Sequence, residues 1–170
     1  MANFICVPQT LELIQRWENV KNLLHTYRVD ALLFTSASNI YYLTRFRASQ
    51  AYLLVTKDNS FLFTDARYYE KAKNLNLPFL EIKLLIKEAF KELKSHFKSL
   101  NLKVIGFEKD RTTCEFIEKI RSKDYKLLGV SQPLKNLRLI KSLSEIENLK
   151  RSVEITDRIF KELLSFILPG

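Results

Sequence analysis

Apolar residues recur along this chain in two rhythms, a spacing of three and four and short unbroken runs, and the two alternate. Leu13, Ile14, Trp17, Val20, Leu23 and Leu24 fall on one face of a helix predicted from Leu11 to about Tyr27, with Thr10 as its N-cap. Ala31-Leu-Leu-Phe34 is continuously apolar, as a strand covered on both sides requires. Ala37 to Thr44 reads as a short helix carrying Tyr41 and Tyr42. Ala51–Val55 and Ser60–Thr64 flank the turn-rich Lys57-Asp58-Asn59 and predict an antiparallel hairpin. Asp65 to Asn74 returns to helix. Pro78 opens a strand ending near Ile82, a helix follows from about Leu84 to Phe97, and Lys103 to Phe107 is another buried strand. Thr112-x-x-Glu115 has the form of a capping box that starts a helix reaching about Ser122, and a weak strand follows over Tyr125 to Leu128.

Strands that alternate with helices predict a three-layer α/β/α domain. Its sheet is mixed and mostly parallel, because the hairpin is antiparallel while helical crossovers favour parallel pairs. Gln132-Pro133 marks the end of that domain, so residues 1–132 form one unit and 133–170 a connector. Within the connector, Ser142-x-x-Glu145 is a second capping box. It opens a long C-terminal helix whose stripe includes Ile146, Leu149, Val153, Phe160 and Leu164. That stripe is too wide for a helix standing alone in water.

A hydrophobic content of 46% in 170 residues suits a globular domain with an appended element. No apolar run reaches the roughly 18 residues that span a bilayer, and the start lacks a basic segment followed by an apolar core. A cytoplasmic protein with no membrane partner is expected. Cys6 and Cys114 lie far apart without metal-site spacing and read as reduced structural thiols, Cys114 in the core. The net charge of +9, from 28 Lys and Arg against 19 Asp and Glu, invites a nucleic-acid reading. Lys87, Lys91, Lys94 and Lys98 interleave with Glu88 and Glu92 on the polar side of a helical pattern, however, which describes a solvated face. No nucleic-acid partner is expected.

Five stretches, in order, carry a resemblance to a known family. Asn39-Ile-Tyr-Tyr-Leu-Thr44 resembles the N-I-x-Y-L-T-G-F stretch of the creatinase/prolidase/aminopeptidase P family, and Phe63-Thr-Asp-Ala-Arg-Tyr68 its F-T-D-G-R-Y. Ile105-Gly-Phe-Glu108 is similar to its I-G-x-E strand, and Arg138-Leu-Ile-Lys-Ser-Leu-Ser-Glu-Ile146 to the R-x-x-K-S-x-x-E-I segment that opens the catalytic domain. Pro169-Gly170 matches the start of a P-G-M-T-E turn. The resemblance implies the family's N-terminal domain, with a ribonuclease H-like motif, joined at 133–170 to the first helix of a truncated pita-bread metallopeptidase domain. It further implies a full-length Xaa-Pro aminopeptidase or dipeptidase that acts on proline-containing peptides, uses two divalent metal ions of the manganese type and forms homo-oligomers. The metal ligands of such an enzyme lie outside this chain, which is expected to be inactive alone. The alternative is a pseudo-peptidase relative that keeps the fold and binds peptide or protein without hydrolysis.

The chain's own chemistry supports a non-catalytic role. His25 and His96 stand in predicted helices without metal-ligand spacing, and Ser36, Ser38 and Ser49 lack a nearby histidine, so neither a metal site nor a nucleophilic triad is predicted. The substrate-cleft candidates are Arg45, Phe46 and Arg47: guanidiniums bind carboxylates through a two-pronged fork and a phenyl ring supplies an apolar wall. The matching family loop, T-G-F-T-G-S, faces the active-site cleft. Here Arg45 and Ala48 stand for its glycines and Arg47 for its threonine, so substrate preference is left open, and a solvated basic loop is the competing reading. Asp65, Arg67 and Tyr68 form a second, structural cluster at the domain seam. Asp65 is expected to cap the helix that starts at Ala66, where the family has glycine.

Overall fold

The computed structural model describes residues 7–86 and 88–167, the side chains of residues 7–9 excepted. Six strands form one sheet in the order β4-β3-β2-β1-β5-β6. They are β1 (Ala31–Phe34), β2 (Ala51–Thr56), β3 (Ser60–Thr64), β4 (Leu80–Leu84), β5 (Val104–Glu108) and β6 (Lys126–Val130). β2 pairs antiparallel with β1 and β3, and the other three pairings are parallel, giving the mixed, mostly parallel sheet expected. The helices between them are α1 (Val7–Tyr27), α2 (Ala37–Thr44), α3 (Ala66–Lys73), α4 (Ala89–Ser99) and α5 (Cys114–Ile120).

Side chains alternate across a strand, so each buried strand serves two cores. Ala31 and Leu33, Leu54, Phe61 and Phe63 face α4 and α5, meeting Leu93, Phe97, Phe116 and Ile120. Their neighbours Leu32, Phe34, Leu53, Val55 and Leu62 are equally buried and point to the other face, where α1 and α2 lie. There Trp17 of α1 donates its indole N–H to the Leu43 carbonyl of α2 at 3.1 Å. β1, one of the two central strands, is buried at all four residues, as its unbroken apolar run predicts. Close packing favours glycine at position 106 in β5, since a Cβ there would stand 2.8 Å from the end of the Leu32 side chain, which would have to shift.

Several boundaries differ from expectation. α1 begins at Val7, so Thr10 lies inside the helix rather than capping it; a proline in the first turn, as at Pro8, leaves the helix intact. β4 runs to Leu84, which pairs with Thr64, and α4 starts only at Ala89. The N-cap of α5 is Thr113, whose hydroxyl accepts from the Phe116 amide at 3.2 Å, not Thr112. Cys114 is therefore the first residue of α5 and is exposed, not core. Cys6 lies outside the described residues, as do Lys87 and Pro169-Gly170.

The chain divides into two compact units after Leu134, two residues beyond the predicted boundary. The second holds α6 (Lys135–Leu139), which no pattern predicts, and α7 (Leu143–Leu164). α7 opens with the predicted capping box: Ser142 Oγ accepts from the Glu145 amide, and the Glu145 carboxylate accepts from the Ser142 amide.

Candidate functional site

The candidate site stands on α2, and α2 is held at its start by a buried acid. Glu108, at the end of β5, is 1% exposed. Its Oε2 accepts the backbone amides of Thr35 at 2.8 Å and Ser36 at 2.9 Å, and its Oε1 accepts the Asn39 side-chain amide. Ser36 is the N-cap of α2 yet makes no side-chain cap of its own. A carboxylate fully satisfied by such donors is tolerated in the interior, and its charge suits a helix N-terminus. Two segments recognised separately in the sequence, the one with Asn39 and the one with Glu108, are thus one contact.

The far end of α2 sets the direction of the loop that follows. Arg45 ends the helix in the left-handed conformation, φ 58° and ψ 13°, and its amide donates to the Tyr41 carbonyl at 2.7 Å. This is where helices most often place glycine, which accounts for the glycine of the family pattern. Neither Ala48 nor Ala66 has a positive φ, so alanine is accepted at both. Thr44 is buried, donating its hydroxyl to the Ile40 carbonyl and accepting the Phe46 amide, and this pins the first residues after the helix.

The three cleft candidates separate into distinct roles. Arg45 is tied to Glu12 of α1 at 3.3 Å and lies 5.6 Å from the Tyr41 ring. Glu12 also pairs with Arg16, which is 4% exposed, stacks on the Tyr42 ring at 3.9 Å and donates to the Tyr42 carbonyl at 2.7 Å. Arg47 is exposed and stacks on Tyr41 at 4.4 Å. Phe46 is 2% exposed and meets Tyr68 edge-on at 6.4 Å, so it cannot offer a wall to a ligand. Arg47 on Tyr41 is the part of the predicted triplet that can meet a solute. Arg16 gave no signal in the sequence, because a charged residue at an apolar helix position looks like an interruption of the stripe, and Tyr42 stood out there only as one of the paired tyrosines of α2.

The second cluster meets the first at Ser49. Asp65 caps α3 as predicted, accepting the Arg67 amide at 2.9 Å, and pairs with the Arg67 guanidinium at 2.7 Å. Arg67 also reaches Ser49 Oγ at 3.4 Å, and Ser49 Oγ lies 3.2 Å from the Tyr68 hydroxyl. The hydrogen bond from Arg67 holds the Asp65 carboxyl below its ordinary range. Ser49 lowers the Tyr68 phenol in the same way. Beneath the loop is a small pocket of about 40 Å³ lined by Thr35, Ile40, Phe46 and Ser49 among others, room for water and not for a substrate. The surface reads as one wall of a site, with a basic, aromatic face and no cavity of its own.

Among the described residues no three His, Cys, Asp or Glu side chains come together to hold a metal ion. His25 is exposed on α1, and His96 is half-buried on α4 against the rings of Phe61 and Phe63 at 4.5 and 5.1 Å. No helix among the described residues is long and apolar enough to cross a membrane.

Known proteins share this fold. A Mycoplasma genitalium protein that bears the provisional name Xaa-Pro aminopeptidase is 32% identical over 93% of this chain and 44% of its own length. The solved structure of an Xaa-Pro dipeptidase from Bacillus anthracis matches with a TM-score of 0.87 and 28% identity, over 93% of this chain and 44% of that one. The solved N-terminal domain of the cytoplasmic peptidase PepQ from Mycobacterium tuberculosis matches over 73% of this chain and 98% of its own, with a TM-score of 0.66 and 25% identity. The chain thus spans less than half the length of the longer relatives. The family model described as the creatinase/prolidase N-terminal domain matches residues 16–140, and the chain belongs to that family.

Proposed function

We propose that this chain is the non-catalytic N-terminal part of a cytoplasmic Xaa-Pro peptidase, and that hydrolysis, with its two divalent metal ions of the manganese type, belongs to residues beyond it. The observation that carries this reading is the match of nearly the whole chain to about 44% of the length of proteins named as Xaa-Pro peptidases, with residues 16–140 matching the family's N-terminal domain. Arg47, held over Tyr41, would grip a carboxylate or carbonyl of a proline-containing peptide as it enters the cleft. Arg45, tied to Glu12, would keep the loop in place, and the Asp65–Arg67–Tyr68 cluster would support the domain seam from behind. Homo-oligomerisation, also expected from the resemblance, would bring such a wall to a neighbouring cleft.

The test compares two proteins on Xaa-Pro peptides, with manganese and with chelator: the 170-residue chain, and a longer chain carrying the rest of the relatives' length. Hydrolysis by the longer chain alone, abolished by chelator, is expected. In that protein Arg47→Ala should raise KM several-fold with kcat little changed, the pattern of lost uniform binding. Chelator-sensitive hydrolysis by the 170-residue chain would overturn the assignment. Absence of hydrolysis by both would favour a peptide-binding module.

A further inference from the structure

The end of the sheet where β1, β3 and β5 begin holds a cavity that the peptidase reading does not use. α1 and α4 both finish there, and in the same way. The Val29 amide donates to the Leu24 carbonyl at 3.0 Å and the Arg28 amide to the His25 carbonyl at 3.2 Å. In α4 the Leu102 amide donates to the Phe97 carbonyl at 3.3 Å and the Asn101 amide to the Lys98 carbonyl at 2.9 Å. Each set is a Schellman motif, with Arg28 and Asn101 in the left-handed conformation at φ 53°. The residue after each turn, Val29 or Leu102, is apolar and buried. Together with Leu24, Phe61 and the β2–β3 turn they border an open cavity of about 550 Å³, a size typical of small-molecule sites. Asp30, just before β1, lines this cavity, whereas Thr35, just after β1, contacts Glu108, so the cavity and the start of α2 lie at opposite ends of that strand.

The cavity has an apolar floor and a charged rim. Leu24, Val29, Phe61 and Leu102 are buried, while Arg28, Lys57 and Asp58 are exposed. None of those three charged side chains has a hydrogen-bond or ion-pair partner among the described residues. Asp30 is already committed, since its Oδ2 accepts the amides of Lys103 and Val104 at 2.8 Å each. Carbonyls at both helix ends are likewise taken up by the two caps, which blunts their pull on a cation. Two cations and one carboxylate therefore stand unpartnered around an apolar floor. We propose that this cavity binds a dipeptide-sized zwitterion with apolar side chains. Its carboxylate meets Arg28 and Lys57, its ammonium meets Asp58, and its side chains cover the floor. A ligand with a single charge leaves one sign of the rim unused.

Titration calorimetry of the 170-residue chain with leucyl-phenylalanine, a dipeptide without proline, tests the proposal. Saturable binding with a dissociation constant in the millimolar range or tighter is expected. Amide shifts on binding should centre on Arg28, Asn59 and Leu102, which line the cavity. Amidating the peptide's carboxylate, or acetylating its amine, should each weaken binding about fivefold. Arg28→Gly should weaken the free dipeptide by a similar factor and leave the amidated one unchanged. Glycine suits the left-handed turn, so the urea midpoint of that variant should not fall. Asp58→Asn should weaken the free dipeptide and leave the acetylated one unchanged. Arg47→Ala should alter neither. Lack of saturation up to about 20 mM would overturn the proposal. So would amide shifts centred elsewhere, capped peptides that bind as well as the free one, or binding indifferent to Arg28→Gly or to Asp58→Asn.

Discussion

Glu108 brings a negative charge into the interior and spends its acceptor capacity on three donors that lead into α2. Replacing it with glutamine keeps the volume but turns one oxygen into a donor that faces other donors. Glu108→Gln should therefore cost about 2–3 kcal/mol, read as a lower urea midpoint with an unchanged slope. The residues of this contact were visible in the sequence as members of two segments. Their pairing was not, because 69 positions separate Asn39 from Glu108 and no local rhythm links them. Phe46 shows the reverse case. Its place between two arginines suggested an exposed loop, whereas the left-handed turn at Arg45 and the bond from Thr44 direct its ring inward. Side-chain type named the candidate cluster, but backbone direction decided which members reach solvent.

At the scale of elements, the clearest signals were those with a local cause. The hairpin, the buried β1, the Asp65 cap and the α7 capping box follow from neighbouring residues and occur as expected. Shifts arose where two neighbours could serve. Thr113 caps α5 while the adjacent Thr112 contacts Thr35 at 2.9 Å, and Leu84 completes the β3–β4 ladder instead of opening α4. α4 also carries a pH-sensitive contact. His96 lies against Phe61 and Phe63 of β3 with its Nε2 buried and unpartnered among the described residues. Burial, with the charge of Lys83 and against that of Glu81, pushes its imidazole below the ordinary 6.5. The unfolded chain then binds a proton that the folded chain refuses. Stability should fall as pH drops below about 6.5 and level off once the folded form also protonates. Urea midpoints between pH 7.5 and 5 should show this slope in the native sequence and lose it in His96→Leu. Asp65, whose carboxyl is held low, acts only in the more acid range below about pH 4. An unchanged slope in His96→Leu would remove His96 as the cause.

For the whole molecule, the division after Leu134 implies that the sheet and its two helix layers fold as a unit. The described core lies within residues up to Leu134, and neither α6 nor α7 has a buried residue. Independent support comes from the PepQ domain, solved alone, which matches 73% of this chain over nearly its full length. A chain of residues 1–134 should therefore unfold in one cooperative transition. Its urea midpoint and slope should equal those of the 170-residue chain. Truncation should remove the far-UV helical signal of α6 and α7 and nothing else. Residues 1–134 retain the Arg47–Tyr41 face, so any weak binding of proline peptides should survive truncation. A midpoint lowered by the equivalent of more than about 1 kcal/mol would count against independence, since it would mean that residues 135–170 shield part of the first unit.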